Sequence, residues 1–275
     1  MSAPDRSQRV AVAPGVELAV FEWDGDGTPF VLLHGLASNA RLWDGVAATL
    51  AAAGHRVLAV DQRGHGQASK PDDGYDMATV TDDLHRLVGA LGLERPVVAG
   101  QSWGANVVVE FAARFPGVAA AVACVDGGTI ELAARFPDWD ECATVLRPPP
   151  LAGTPLVDIE RMIRQGHADW PESGIAGTLA CFEVRDDGTV APWLTLDRHL
   201  QVLRGLWEHR PHDRFPHIEE PVLFIPATGS SPSEAPAALA DARVVPIDGD
   251  HDLHAQHPVR VAEVLRTLVE TEEAP

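Results

Sequence analysis

The chain has 275 residues, 45% hydrophobic and 22% charged, which suits one large α/β domain with a sizeable buried core and is unlike a disordered or membrane-spanning composition. A formal net charge of −19 favours solubility and sets the chain against nucleic acid and anionic membranes, whose phosphates it would repel. No run approaches the roughly 20 apolar residues of a membrane span, and Met1-Ser2-Ala3-Pro4-Asp5-Arg6 lacks the apolar stretch of a secretory signal, so a cytoplasmic location is expected.

Residues 9–13 and 16–23 alternate around Pro14-Gly15 and predict an antiparallel hairpin. The run Pro29-Phe30-Val31-Leu32-Leu33 is apolar on both faces, as a buried strand of a mostly parallel sheet should be. Helical stretches then alternate with similar runs at 56–60, 96–99, 119–125, 221–225 and 243–247. A last helix is expected over 258–270, opened by Pro258. This alternation predicts a parallel sheet covered by helices on both faces.

The alternation stops once, between residues 128 and 215. That stretch holds helical pieces, Pro148-Pro149-Pro150 and four tryptophans (Trp139, Trp170, Trp193 and Trp207), with no clear strand. Connections this long rarely lack structure of their own in compact domains, so a helical lid is expected. The predicted division is a core of 1–127 and 216–275 with a cap of 128–215 inserted in it. Cys124, Cys142 and Cys181 have no CxxC spacing and read as reduced packing residues. The twelve histidines show no HExxH or comparable spacing and phosphate-cradling glycines are missing, so no metal and no cofactor is expected.

The most informative segment is Gly100-Gln101-Ser102-Trp103-Gly104, between the apolar run 96–99 and the helical stretch 105–114. A serine between glycines at a strand-to-helix turn is the setting of a nucleophile elbow, which holds the hydroxyl over the sheet's end at the positive terminus of the helix. Serine is a weak nucleophile at neutral pH and needs a base. His251, in Asp248-Gly249-Asp250-His251-Asp252-Leu253 directly after the last strand, is the best placed; His254 and His257 lie farther along. An oxyanion needs two donors: the N–H of Trp103, directly after the serine, and that of Leu36 in His34-Gly35-Leu36-Ala37, where Gly35 permits close backbone approach. His34 reads as a structural hydrogen-bonder.

His34-Gly35 with Trp43, then Asp61-Gln62-Arg63-Gly64-His65-Gly66, then Gly100-Gln101-Ser102-Trp103-Gly104, then Asp250-His251 resemble the α/β-hydrolase family in its usual order. The resemblance covers 10–127 and 216–270. It implies a mostly parallel eight-stranded sheet flanked by helices, with 128–215 at the position of a helical cap. It also implies structural roles for Asp61 and Arg63. The nearest similarity is to cofactor-free esterases and lactonases.

The family most often carries its acid after the penultimate strand, where this chain reads Pro226-Ala227-Thr228-Gly229-Ser230-Ser231-Pro232-Ser233-Glu234, with Glu234 expected to start a helix. Some members place it after the preceding core strand. That makes Asp126, in Val125-Asp126-Gly127-Gly128, the acid favoured here, with Asp250, Glu234 or no acid as alternatives.

The expected function is a serine hydrolase acting on an ester, lactone or thioester of a small hydrophobic molecule, with Ser102, His251 and Asp126 catalytic, Leu36 and Trp103 holding the oxyanion, and Trp170, Trp207 and Met162 binding substrate. A serine at the elbow, where the family's dehalogenases and epoxide hydrolases carry an aspartate, excludes their chemistry by alkyl-ester formation. The alternatives are a cofactor-free lyase or C–C hydrolase on the same machinery, and a non-catalytic ligand-binding module. The partner expected is a small-molecule substrate; oligomeric state is not legible.

Overall fold

The computed structural model describes residues 3–269. The hairpin forms as β1 (Arg6–Ala13) and β2 (Val16–Trp23), turning at Gly15 with φ +72°. There follow β3 (Gly27–Leu33), α1 (Asp44–Ala52), β4 (His55–Asp61), α2 (Met77–Ala90), β5 (Val97–Gln101), α3 (Trp103–Arg114) and β6 (Ala121–Val125). After the long intervening segment come two further strands of the main sheet, at Val222–Ile225 and Ala242–Val244.

Between β6 and those strands lie α4 (Leu132–Arg135), α5 (Trp139–Val145), α6 (Leu156–Gly166), α7 (Glu172–Leu179), β7 (Phe182–Val184), β8 (Val190–Pro192) and α8 (Leu196–Glu208). The two core strands are therefore β9 (Val222–Ile225) and β10 (Ala242–Val244), followed by α9 (Leu253–Gln256) and α10 (Pro258–Arg266). The hairpin β7–β8 corrects the expectation of a strandless insertion. Its strands are three residues each, too short to show a period, but the Asp187-Gly188 turn between them, with Gly188 at φ +78°, was a usable signal. Nor does Glu234 start a helix: residues 231–240 form turns and bends. The last helix ends at Arg266, and residue 270 of the expected span lies outside the described residues.

The eight-stranded sheet runs β1-β2-β4-β3-β5-β6-β9-β10. β2 is antiparallel to β1 and β4, and every other pairing is parallel. Period-two alternation divides the core between its faces. Val31 and Leu33 of β3 join Leu58, Val60 and Val98 against Leu84 and Leu87 of α2 and Phe111 of α3. Phe30 and Leu32 join Val57, Ala59 and Val97 against Val46 and Leu50 of α1 and Val261 and Leu265 of α10. Strand order reverses direction between β3 and β5, which opens a crevice at their carboxyl ends, where open α/β sheets bind ligands. Among the described residues no helix is long and apolar enough to cross a membrane.

Candidate active site

β5 passes into α3 through Ser102 alone, whose φ of +53° and ψ of −117° put it in a region that non-glycine residues rarely adopt. Holding such a conformation costs about 1–3 kcal/mol and persists only where the surroundings over-determine it. The surroundings here do so. A Cβ on Gly100 would overlap the Gly104 carbonyl, one on Gly104 would lie 2.5 Å from the His34 carbonyl oxygen, and one on Gly127 would lie 2.8 Å from Ser102 Cα. The Ser102 N–H donates to the Val125 carbonyl at 3.0 Å, closing the turn onto β6.

Ser102 and His251 line one cavity of about 210 Å³, together with Gly35, Leu36, His167, Trp170, Cys181 and Asp252 among others. His251 stands directly before α9, and its carbonyl accepts from Gln101 Nε2 at 3.1 Å, a brace from the elbow to the histidine loop. Its Nδ1 meets Asp126 Oδ2 at 2.5 Å. Asp126 follows β6 at φ +41°, and its other oxygen accepts from the Ala227 N–H at 2.9 Å. The hydrogen bond to Asp126 pushes the His251 imidazole above its ordinary value of 6.5, with burial opposing and nearby carboxylates adding to the rise. Burial acts to raise the Asp126 carboxyl, but hydrogen bonds from His251 and Ala227 and the histidine's charge outweigh it and leave the carboxyl below its ordinary range. Half of the His251 side chain is exposed, and among the described residues no hydrogen bond joins it to Ser102. Such bonds are often long in unliganded sites and tighten around substrate.

The N–H groups expected to meet an oxyanion are those of Trp103 and Leu36. Trp103 is the first residue of α3, so its N–H has no intrahelical acceptor. The Leu36 N–H, on the loop after β3, has no acceptor among the described residues. Gly35 lets that loop approach, since a Cβ there would lie 3.2 Å from Ser102 Cβ. His34 holds the loop: Nε2 accepts from the Gln62 N–H at 3.1 Å, which leaves Nδ1 to donate to the Gly35 carbonyl at 2.8 Å. Asp61 accepts from the Ala40 and Gln67 N–H groups, and Arg63 pairs with Asp83 in the interior, so both fasten loops and neither reaches the cavity.

Trp170 lines the cavity and donates from Nε1 to Asp250 at 3.3 Å. The other two residues expected at the substrate do not reach it. Trp207 donates from Nε1 to the Phe136 carbonyl at 2.7 Å and packs on Trp139, inside the 128–215 segment. Met162 stands 56% exposed on α6, because the apolar stripe of that helix turns Ile159 inward and leaves position 162 on the solvent side. Of the alternative acids, Asp250 faces Trp170, and Glu234 is exposed on its loop. All three cysteines are free; Cys181 lines the cavity as a thiol, pushed up to about 12 by burial, and accepts from Asn39 Nδ2 at 3.1 Å.

Sequence reasoning missed Gln101, Asp252 and His167. Gln101 stood inside the motif, but nothing in the sequence says where its amide points. Asp252 faces the cavity with no side-chain hydrogen bond among the described residues, and burial holds its carboxyl above the ordinary value.

The sheet order and the serine turn after β5 are those of the α/β-hydrolase fold. Residues 28–152 match the α/β-hydrolase-fold family. The chain is 42% identical over 111 residues to epoxide hydrolase A of Mycobacterium tuberculosis, covering 39% of this chain and 34% of that protein. It is 38% identical over 91 residues to a putative non-heme chloroperoxidase of Synechocystis sp., covering 33% of each. The matched part thus spans about a third of these curated relatives. Among solved structures, E-2-(acetamidomethylene)succinate hydrolase superposes with a TM-score of 0.80 at 24% identity, covering 96% of this chain and 99% of that one. The thioesterase domain from the curacin biosynthetic pathway superposes with a TM-score of 0.77 at 18% identity, covering 95% and 99%.

Proposed function

We propose that the chain is a serine hydrolase that cleaves a carboxylic ester, lactone or thioester of a small hydrophobic molecule through an acyl-enzyme. The observation that carries this reading is the shared cavity: a strained serine, a histidine oriented by a buried carboxylate, and Leu36 with an unspent backbone N–H line it, and the Trp103 N–H follows directly on the serine.

Ser102 Oγ attacks the acyl carbon while His251 Nε2 takes its proton. Asp126 fixes the tautomer with Nδ1–H directed at itself and stabilises the imidazolium as it forms. The carbonyl oxygen, now negative, is met by the N–H groups of Leu36 and Trp103, which are already oriented and need no reorganisation. His251 returns the proton to the leaving alcohol, thiol or ring oxygen. Water, activated by the same histidine, then releases the acid. Segment 128–215 serves as the cap, with Trp170 and His167 roofing the cavity.

The relatives include an epoxide hydrolase and a chloroperoxidase, and the solved neighbours include a thioesterase domain and an esterase. Acyl transfer by Ser102 fits the last two most directly. A fluorophosphonate should label the protein stoichiometrically at Ser102, as read by intact mass and peptide mapping, and His251→Ala should abolish the labelling. A folded wild-type protein that takes no label from probes of graded size would sink the acyl-transfer reading.

A further inference from the structure

A second, larger chamber of about 710 Å³ adjoins the nucleophile cavity, and Ala37, Ser38 and Cys181 line both. That volume lies within the range of small-molecule sites. Its walls are apolar: Pro150 and Leu151 from the proline run, Phe182 from β7, and Trp193 and Leu194 before α8. The walls are also sewn together. The Gly153 N–H donates to the Val190 carbonyl at 2.8 Å, Val190 N–H to Thr154 at 2.9 Å, and Trp193 N–H to Cys181 at 3.1 Å. The chamber is therefore a built feature of the fold.

Two cations stand in this apolar lining, Arg147 and Arg185. On a chain with 40 acidic and 21 basic residues, most arginines are already paired, as Arg63 is with Asp83 and Arg214 with Glu110. The side chains of Arg147 and Arg185 form no hydrogen bond or ion pair among the described residues. Asp187, which feels the charge of Arg185, already accepts from the Thr189 N–H and hydroxyl. Two guanidinium groups left unpaired on so acidic a molecule, at the wall of a chamber that adjoins the nucleophile cavity through three shared residues, match an oxyanion in geometry as well as charge.

We propose that the chamber receives the acyl chain of the substrate and that Arg147 and Arg185 select chains whose far end carries an oxyanion, a carboxylate in the simplest case. The proposal rests on the hydrolase reading and narrows its substrate class to apolar esters or thioesters with an anionic tip. The carbonyl lies at Ser102, the chain passes between Ala37-Ser38 and Cys181, and the tip reaches the guanidinium groups.

The test compares p-nitrophenyl octanoate with the p-nitrophenyl monoester of octanedioic acid on the full chain, with kcat/KM measured for each. Wild type should favour the carboxylate-tipped ester by about tenfold, the scale of two partly exposed charge-assisted contacts. The preference should fall to about twofold or less in R147Q/R185Q, return only in part in R147K/R185K, which keeps charge without the planar fork, and persist in R95Q, which removes a charge before β5. Turnover of the octanoate ester with no such preference, or a preference unchanged in R147Q/R185Q, overturns the proposal and leaves the hydrolase reading standing.

If wild type turns over neither ester, the hydrolase reading fails. Calorimetry of wild type with monomethyl octanedioate against methyl octanoate then decides the chamber. Tighter binding of the anion-tipped ester, lost in R147Q/R185Q, supports the assignment, and equal binding overturns it.

Discussion

The turn around Ser102 and the segment between β6 and β9 meet at one cavity, but they are held in different ways. At the turn, backbone constrains backbone: Gly100 against Gly104, Gly104 against His34, Gly127 against Ser102. No side-chain adjustment can relieve such contacts. The inserted segment also approaches by backbone, Gly174 and Gly177 of α7 against Ala255 and Arg41. Its reach to the cavity, however, is through side chains: Trp170 and Ile175 pack on Leu42 and Ala255, Trp170 donates to Asp250 and Gln256 donates to Asp169, while a second core of Phe136, Cys142 and Leu203 lies elsewhere. The difference separates two tasks. The proposed bond making demands a fixed serine, whereas the side chains of the roof and the side chamber can vary with the serine turn left intact.

Breaking the first region should give the largest effects. Ser102→Ala should lower kcat/KM for an activated ester by at least about 10⁴-fold without lowering the melting temperature, because it removes the proposed nucleophile and no packing. Asp126→Asn should keep the fold yet lose about 10³- to 10⁴-fold in kcat, since the amide favours the wrong imidazole tautomer. The pH profile tests the same contact. Catalysis needs neutral His251, and the Asp126 hydrogen bond raises the histidine above 6.5, so the acid limb of kcat/KM should have its midpoint above that value. Activity falls as pH drops through it. In Asp126→Asn the residual activity should show that midpoint displaced downward; an unmoved limb would mean the contact does not tune the base.

Next in size, Gly104→Ala should destabilise the protein by about 1–3 kcal/mol in urea titration, as overpacking does. The new methyl would meet the His34 oxygen at 2.5 Å and Leu33 at 2.8 Å, both backbone. Trp170→Phe probes the other region. It keeps the ring against His167 but removes the bond to Asp250, a loss of about 0.5–1.5 kcal/mol. The expected result is a rise in KM of up to about tenfold with kcat nearly unchanged. A fall in kcat instead would show that the roof positions the chemistry and would collapse the separation of tasks.

These same contrasts explain what was legible. The sheet could be read because each core strand is a continuous apolar run set off by glycines or prolines, and burial on both faces leaves no other reading for Phe30–Leu33 or Val97–Ala99. Ser102 and His251 could be singled out as candidates because each stands in a turn beyond a strand's end, and the structure brings both to one cavity. Asp126 needed the family's variation to be singled out, and its bond to His251 spans 125 residues of sequence, beyond any local pattern. The cap side chains were hardest. A tryptophan is equally at home in a lobe's own core and against a ligand, and only the rotation of each helix decides. The Asp187-Gly188 turn was visible but flanked by strands of three residues, too few to outweigh the helical surroundings.

The smallest expected effects make the sharpest test of where the inserted segment's own interior ends. Trp207 and Met162 both lie in the 128–215 segment, and neither lines the nucleophile cavity. Trp207→Phe breaks its bond to the Phe136 carbonyl and should cost about 1 kcal/mol of stability with ester kinetics within about twofold of wild type. Met162 is mostly exposed, and Met162→Ala should change stability by no more than about 0.5 kcal/mol and kinetics not at all. If Met162→Ala raised KM for long-chain esters while sparing short ones, the exposed face of α6 would fold over the bound chain, and the roof would extend beyond Trp170. Equal kinetics for every chain length would confine substrate contact to the two cavities that meet at Ala37, Ser38 and Cys181.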